Sequence, residues 1–252
     1  MEAPKVAVVT GASRGLGRRI AQDLVRSGLV VAANARSRER PGVGEGLYRA
    51  FDVSDVPSVD RFVKDAVSRF GRIDVLVNNA GFANAATPIP DTDEEVVAKC
   101  FEINLFGPAA FMRRVLPVMA GQPEGGVVVN IASRAGVTPV PGLAAYSASK
   151  SALVAFTLAA AKEYAGSRVL CVAVCPAGMN TEMRSTVYGA DDAAVQMAPE
   201  RVSEVVVELA TQRTVNGASP DSGAAVVIPR DGEPIVVNWP LDSRGHQSLR
   251  FS

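Results

Sequence analysis

KVAVVTGASRGLGRRIAQDLVRSG, residues 5–28, decides the fold. Lys5–Val9 is a short β-branched run that stops at Thr10 and Gly11. GASRGLG follows, and then RRIAQDLVRSG, where Ile20 and Leu24 have helical spacing and Gly28 ends the run. Strand, glycine turn and helix in that order form the opening of a dinucleotide site. Glycines let the backbone approach a pyrophosphate, which rests on the helix N-terminus. Gly11, Gly15 and Gly17 are spaced GxxxGxG rather than the commoner GxGxxG. By itself such a loop also suits an ordinary strand-to-helix turn, so the rest of the chain has to support it.

The same beat continues downstream. Leu29–Asn34 is a second apolar run, Leu47–Phe51 a third and Ile73–Val77 a fourth. Ser54 or Asp55 caps a helix with Val56, Val59, Val63, Ala66, Val67 and Phe70 on one face. Residues 38–46, RERPGVGEG, are too rich in Gly and Pro for a crossover helix. Asp93–Met119 reads as a long helix kinked at Pro108, with Asn104 a polar residue among Phe101, Ile103, Leu105 and Phe106. Val127–Ile131 and Arg168–Val174 are further strands, Pro199–Thr211 a helix and Ala224–Ile228 a last strand. Residues 182–198 show no readable pattern. Alternation at this interval predicts an α/β fold: a single-domain, doubly wound parallel sheet of Rossmann type with helices on both faces. Residues 1–237 form that domain and 238–252, with Trp239, a C-terminal tail.

Candidate chemistry gathers after the strands. In Asn130–Lys150, NIASRAGVTPVPGLAAYSASK, Ser133 ends a strand and Tyr146 precedes Lys150 by four residues. Residues after Tyr146 read as helix, so phenol and ammonium share a face. A free tyrosine titrates near pH ~10, and a neighbouring cation is expected to lower that value toward a useful acid/base. Alone, the pair reads as an ordinary surface pair on a helix. At the end of the second strand stand Ala35, Arg36, Ser37 and Arg38, where an acidic residue would bind a ribose 2′-hydroxyl. Arg36, with Arg14 in the glycine loop, offers cations for a 2′-phosphate instead, favouring NADP(H) over NAD.

Composition narrows the function classes. With 48% hydrophobic and 21% charged residues the chain can bury a large core. Twenty-six basic against 26 acidic residues leave no excess for nucleic acid or a membrane surface. Cys100, Cys171 and Cys175 form no CxxC pair, which argues against a disulfide framework or a zinc knuckle. One histidine, His246, leaves neither a His-rich metal site nor a Ser-His-Asp triad, so no metal is expected. There is no 18-residue apolar span. A soluble cytoplasmic protein is the expectation.

Taken together, the residues resemble the short-chain dehydrogenase/reductase family nearly end to end. The matches are TGASRGLG at 10–17, DV at 52–53, NNAG at 78–81, Asn104 in EINLFG, NIAS at 130–133, YSASK at 146–150 and CPAGMNTEM at 175–183. The resemblance implies an NADP-preferring, ketoreductase-like enzyme with Asn104, Ser133, Tyr146 and Lys150 as its catalytic set. It makes Tyr146 the general acid/base and has Ser133 orient the substrate oxygen. Lys150 would lower the tyrosine pKa and bind the nicotinamide ribose, and Asn104 would hold a water in the proton relay. For the cofactor it implies Gly11, Ser13, Arg14, Gly15, Leu16, Gly17 and Arg36. Asp52 and Val53 would contact adenine, and Asn79, Ala80 and Gly81 the ribose and backbone. Pro176, Met179 and Thr181 would meet the nicotinamide end. Pocket candidates are Phe82, Arg134, Val137, Val140, Met179, Met183 and Tyr188, suggesting a largely apolar or polyketide-like carbonyl or alcohol substrate. Homodimers or homotetramers through the 93–119 and 146–165 helices are common in the family.

Three departures stand out: the short 36–52 connection, Ala177 where many members have glycine, and a C-terminus without the usual Gly-Gly. Two other functions fit the same residues, a catalytically silent cofactor sensor or scaffold, and an NADP-dependent epimerase or dehydratase. The filled catalytic positions argue against the silent scaffold.

Overall fold

Valine-rich runs that carry apolar side chains on both faces must be covered from both sides, and they are. The structure, a computed structural model, describes residues 3–38 and 42–237. The tail beyond 237, with Trp239 and His246, and residues 39–41 of the short connection lie outside the described residues. Strands β1 (Val6–Thr10), β2 (Val30–Ala35), β3 (Leu47–Ala50), β4 (Val75–Asn78), β5 (Gly126–Ile131), β6 (Val169–Pro176), β7 (Ala225–Ile228) and β8 (Ile235–Val237) form one sheet. Their order is β3-β2-β1-β4-β5-β6-β7-β8.

The first seven strands are parallel. The eighth corrects the all-parallel expectation, because β8 pairs antiparallel with β7. A tight return through Asp231 and Gly232, where Gly232 has φ +91°, turns the chain straight back. Such Asp-Gly pairs between β-branched runs favour hairpins.

Helices α1 (Gly15–Arg26) and α8 (Pro199–Gln212) cover one face. There Ile20, Leu24, Val206 and Leu209 pack on Val9, Val77, Val129 and Val172. The opposite face takes α2 (Val56–Phe70), α3 (Glu94–Phe101), α4 (Gly107–Ala120) and α5 (Ala144–Glu163). Phe62, Phe111, Met112 and Met119 sit there on Val8, Leu76 and Val128. Alternate residues of one strand thus serve two cores. The cap of α2 is Asp55, whose carboxylate accepts from the Ser58 N–H. Its buried face differs from the expected one in two places: Phe62 is 1% exposed, whereas Val56, on the first turn, is 43% exposed.

The long helix expected over Asp93–Met119 is interrupted. Between α3 and α4 a wide turn of π type spans Glu102–Phe106. Pro108 has no N–H to give the carbonyl four residues back, that of Asn104, so the ladder widens before the proline rather than bending at it. Residues 182–198 hold two short helices, α6 (Glu182–Tyr188) and α7 (Ala190–Ala194).

Sheet order reverses between β1 and β4, since β1 pairs with both β2 and β4. The crevice beyond the carboxyl ends of these strands is where open α/β sheets take their ligands.

Candidate active site

Two loops are laced together over that crevice. Thr10 Oγ1 accepts from the backbone N–H groups of Asn79 and Ala80, each at 3.0 Å. Asn79 Nδ2 donates to the carbonyls of Thr10 at 2.9 Å and Gly11 at 3.3 Å. Gly17 must be glycine for this, because a Cβ there would lie 2.2 Å from Asn79 Nδ2 and 2.3 Å from the Gly11 carbonyl. The N-terminus of α1 carries no side-chain cap and no acidic residue in its first turn. Its free N–H groups open into a cavity of about 700 Å³ lined by Gly15, Leu16 and Gly17. Uncapped donors, helped by the helix dipole, make a seat for an anion.

Of the positions expected to hold the cofactor, all but Pro176 line this cavity: Gly11, Ser13, Arg14, Gly15, Leu16, Gly17, Arg36, Asp52, Val53, Asn79, Ala80, Gly81, Tyr146, Lys150, Met179 and Thr181. The two arginines differ. Arg36 is exposed and has no carboxylate partner among the described residues. Arg14, expected as a free cation, instead pairs with Glu182 of α6. The partner lies 168 residues away in sequence, which is why it was invisible there. Asn34, at the end of β2, was also missed. It is fully buried, lines the same cavity, and has an unpartnered side-chain oxygen. A polar residue closing an apolar strand is its sequence signal.

Tyr146 lies in the first turn of α5 and Lys150 one turn on. The Lys150 ammonium is buried, 3% exposed, and sits 5.9 Å from the centre of the Tyr146 ring. It donates to the Ile131 carbonyl at 2.8 Å. Burial pushes its pKa down to about 8. Tyr146 is half-buried as a residue, yet burial of its hydroxyl pushes its pKa up, only partly offset by a hydrogen bond with Ser133. This corrects the expectation of a lysine-lowered phenol. Desolvation outweighs the Ser133 hydrogen bond, while the Lys150 ammonium spends its own hydrogen bond on the Ile131 carbonyl. Ser133 caps a short 3₁₀ turn, Arg134–Gly136, by accepting from the Ala135 N–H.

Asn104 is fully buried and its amide is wholly engaged. It accepts from the Phe82 N–H at 2.8 Å and donates to the Phe82 carbonyl at 2.8 Å and to Ser149 Oγ at 3.0 Å. Ser149 in turn donates to the Tyr146 carbonyl at 2.8 Å. The side chain therefore fixes the 81–82 segment against α5 and is not free to hold a water. Its backbone carbonyl cannot accept the usual α-helical bond, because Pro108 has no N–H.

A second, smaller cavity of about 130 Å³ adjoins the first. Ala132, Tyr146, Met179, Thr181 and Met183 line both. Ser133 lines the small one and Lys150 the large one. Among the substrate candidates, Arg134, Val140, Met183 and Tyr188 line the small cavity, and so does Pro176. Phe82 faces the large one, with the Lys99 ammonium 4.8 Å from its ring centre. Val137 lines neither and packs instead against the cluster of Ala132, Leu153 and Cys175. Cys100, Cys171 and Cys175 are free and buried. Such an arrangement can seat a phosphate-bearing ligand in the large cavity and a small oxygen-bearing one in the small cavity, with a phenol between them.

Comparison with known proteins points the same way. Residues 5–192 match the short chain dehydrogenase family. The chain is 34% identical over 188 residues to a 3beta-hydroxysteroid dehydrogenase of Mediterraneibacter gnavus, covering 71% of this chain and 67% of that one. It is 38% identical over 191 residues to a 2-(R)-hydroxypropyl-CoM dehydrogenase of Xanthobacter autotrophicus, covering 71% and 76%. Among solved structures it is similar to a 3-ketoacyl-(acyl-carrier-protein) reductase from Brucella melitensis complexed with NADH. The TM-score is 0.81 and the identity 28%, over 89% of this chain and 96% of that one.

Proposed function

The chain belongs to the short-chain dehydrogenase family, and from that premise we propose that it reduces a ketone, or oxidises the corresponding secondary alcohol, with NADP(H) and with Tyr146 as general acid/base. That it is an oxidoreductase acting on CH–OH groups follows from its relatives. The observation that carries the finer reading is the placement of Tyr146 on the wall shared by the two cavities, with Ser133 on one side and Lys150 on the other.

The large cavity fits a dinucleotide. The uncapped α1 N-terminus takes a pyrophosphate. When bound, NADP(H) supplies or accepts the hydride. Ser133 holds the substrate oxygen and Tyr146 passes it a proton as the carbonyl carbon is reduced. With its pKa raised, the phenol is protonated at neutral pH and so holds the proton that a reduction consumes. Lys150, anchored on the Ile131 carbonyl, reaches the ribose side of the cavity. Arg36 supports NADP(H) over NAD, since it is exposed at the cavity rim with no acidic residue in 35–38 to repel a 2′-phosphate.

The reading extends to a cytoplasmic homo-oligomer, consistent with Phe106 and Phe156 exposed on the α3–α5 side. No helix among the described residues is long and apolar enough to cross a membrane.

The test is a pair of fluorescence titrations, NADPH and NADH, followed by NADPH oxidation with ketones. Arg36→Ala should weaken NADPH about 10- to 100-fold, the worth of one charge-assisted contact, and leave NADH unchanged. Tyr146→Phe should keep NADPH binding and lose turnover about 100-fold or more. Equal binding of the two nucleotides by the wild type overturns the cofactor assignment. Undiminished turnover in Tyr146→Phe overturns the mechanism.

A further inference from the structure

The small cavity carries an unmatched charge. Two arginines line it, Arg134 and Arg184, and no carboxylate does. Arg184 is already neutralised: it holds Asp192 through two nitrogens, at 2.5 and 3.2 Å, and its guanidinium stacks 3.9 Å from the centre of the Tyr188 ring. Arg134 has no ion-pair partner among the described residues. It is the residue next to Ser133, in the turn that Ser133 caps. The remaining walls are mainly apolar, with Val140, Leu143, Met183 and Val187 among them. Arg134 is exposed, so its charge acts from the open side of a mainly apolar cavity and attracts an anion to its mouth.

Size adds a second constraint. At about 130 Å³ the cavity lies well below the ~300–1,000 Å³ of a drug-sized pocket. A longer chain would have to extend out of this cavity, whereas a short molecule is held within it. Resting on the oxidoreductase reading above, we propose that the substrate is a short oxo acid, or the matching hydroxy acid, whose carboxylate is bound by Arg134 while its carbonyl lies on Ser133 and Tyr146. Arg134, Ser133 and Tyr146 line the same cavity of about 130 Å³, so the carboxylate and the reacting carbon belong to one short molecule. Arg184, locked on Asp192 and Tyr188, shapes the far wall and leaves the carboxylate to Arg134. The preference is electrostatic, so it weakens as salt rises.

The experiment compares acids with their own esters. Protein loaded with NADPH is given 2-oxobutyrate, acetoacetate and levulinate, each alongside its methyl ester, with cyclohexanone as a neutral control. At least one acid should exceed its ester in kcat/KM by about 10-fold or more, the worth of a charge-assisted hydrogen bond. Arg134→Ala should bring that ratio near one, chiefly through KM, and Arg134→Lys should restore part of it. NADPH binding by each variant verifies that it is folded. Esters that match or exceed every acid, or a ratio untouched in Arg134→Ala, overturn the proposal. If cyclohexanone or the esters react and no acid does, the oxo-acid assignment alone falls. If no carbonyl compound reacts although NADPH binds, the reductase reading falls with it.

Discussion

Lys150 is a buried cation held by one backbone carbonyl, and replacing it with methionine isolates what that burial costs. Its pKa of about 8, against an ordinary 10.5, means the folded chain resists the proton that the unfolded chain keeps. The sign follows from proton linkage. Below about pH 8 both states are protonated and this group adds no slope. Between about pH 8 and 10.5 the unfolded state binds more protons, so stability rises with pH. Integrated from about pH 7 to about pH 9.5, the two pKa values give a gain of about 2 kcal/mol. At pH 7, Lys150→Met removes a desolvation cost of about 3 kcal/mol. It also leaves the Ile131 carbonyl without its 2.8 Å donor, which costs about 1–3 kcal/mol. The variant should therefore be close to wild type in stability at pH 7, while losing turnover. Urea unfolding followed by far-ultraviolet circular dichroism, without nucleotide, measures both proteins at the two pH values. The wild type should gain about 2 kcal/mol on the variant as pH rises. Tyr146, with its raised pKa, acts with the opposite sign, but only as pH approaches and passes 10. Parallel pH profiles would refute the burial of a charged Lys150.

Two further substitutions test the scaffold. Gly17→Ala drives a methyl group against Asn79 Nδ2 and the Gly11 carbonyl, so overpacking should cost about 1–3 kcal/mol. Calorimetry should show the lost stability and a titration should show weakened NADPH binding; an unchanged NADPH Kd would contradict the close approach of the two loops. Asn104→Ala strands the Phe82 N–H and carbonyl, which should cost about 2–4 kcal/mol in urea unfolding. A loss under 1 kcal/mol would mean that water replaces the amide.

Much of the fold was legible because its determinants are local. A β-branched run ending in Thr10 and Gly11, then Ile20 and Leu24 at helical spacing, needs only near neighbours to become strand, turn and helix. Repetition of that unit fixes a parallel doubly wound sheet, and with it the edge where the Gly11, Asn79, Ser133 and Tyr146 segments must meet. Where local signals were present but misread, the structure shows the cue. Asp231-Gly232 was a hairpin turn, and the missing N–H of Pro108 acted on Asn104 rather than on the proline's own turn.

What the sequence by itself determined is the order of elements and the convergence of the candidate residues on one crevice, because each rests on interactions among residues close in the chain. Only the tertiary structure decided which side chains remain free there. Arg14 is occupied by Glu182, Arg184 by Asp192, the Lys150 ammonium by the Ile131 carbonyl and the Asn104 amide by Phe82. Arg36 and Arg134 have no such partner among the described residues. Val137 turns into the core and Pro176 into the small cavity. Except for Arg184 and Asp192, these partners are brought together from distant parts of the chain, and the balance between desolvation and pairing at each one is set only when the loops close over the sheet.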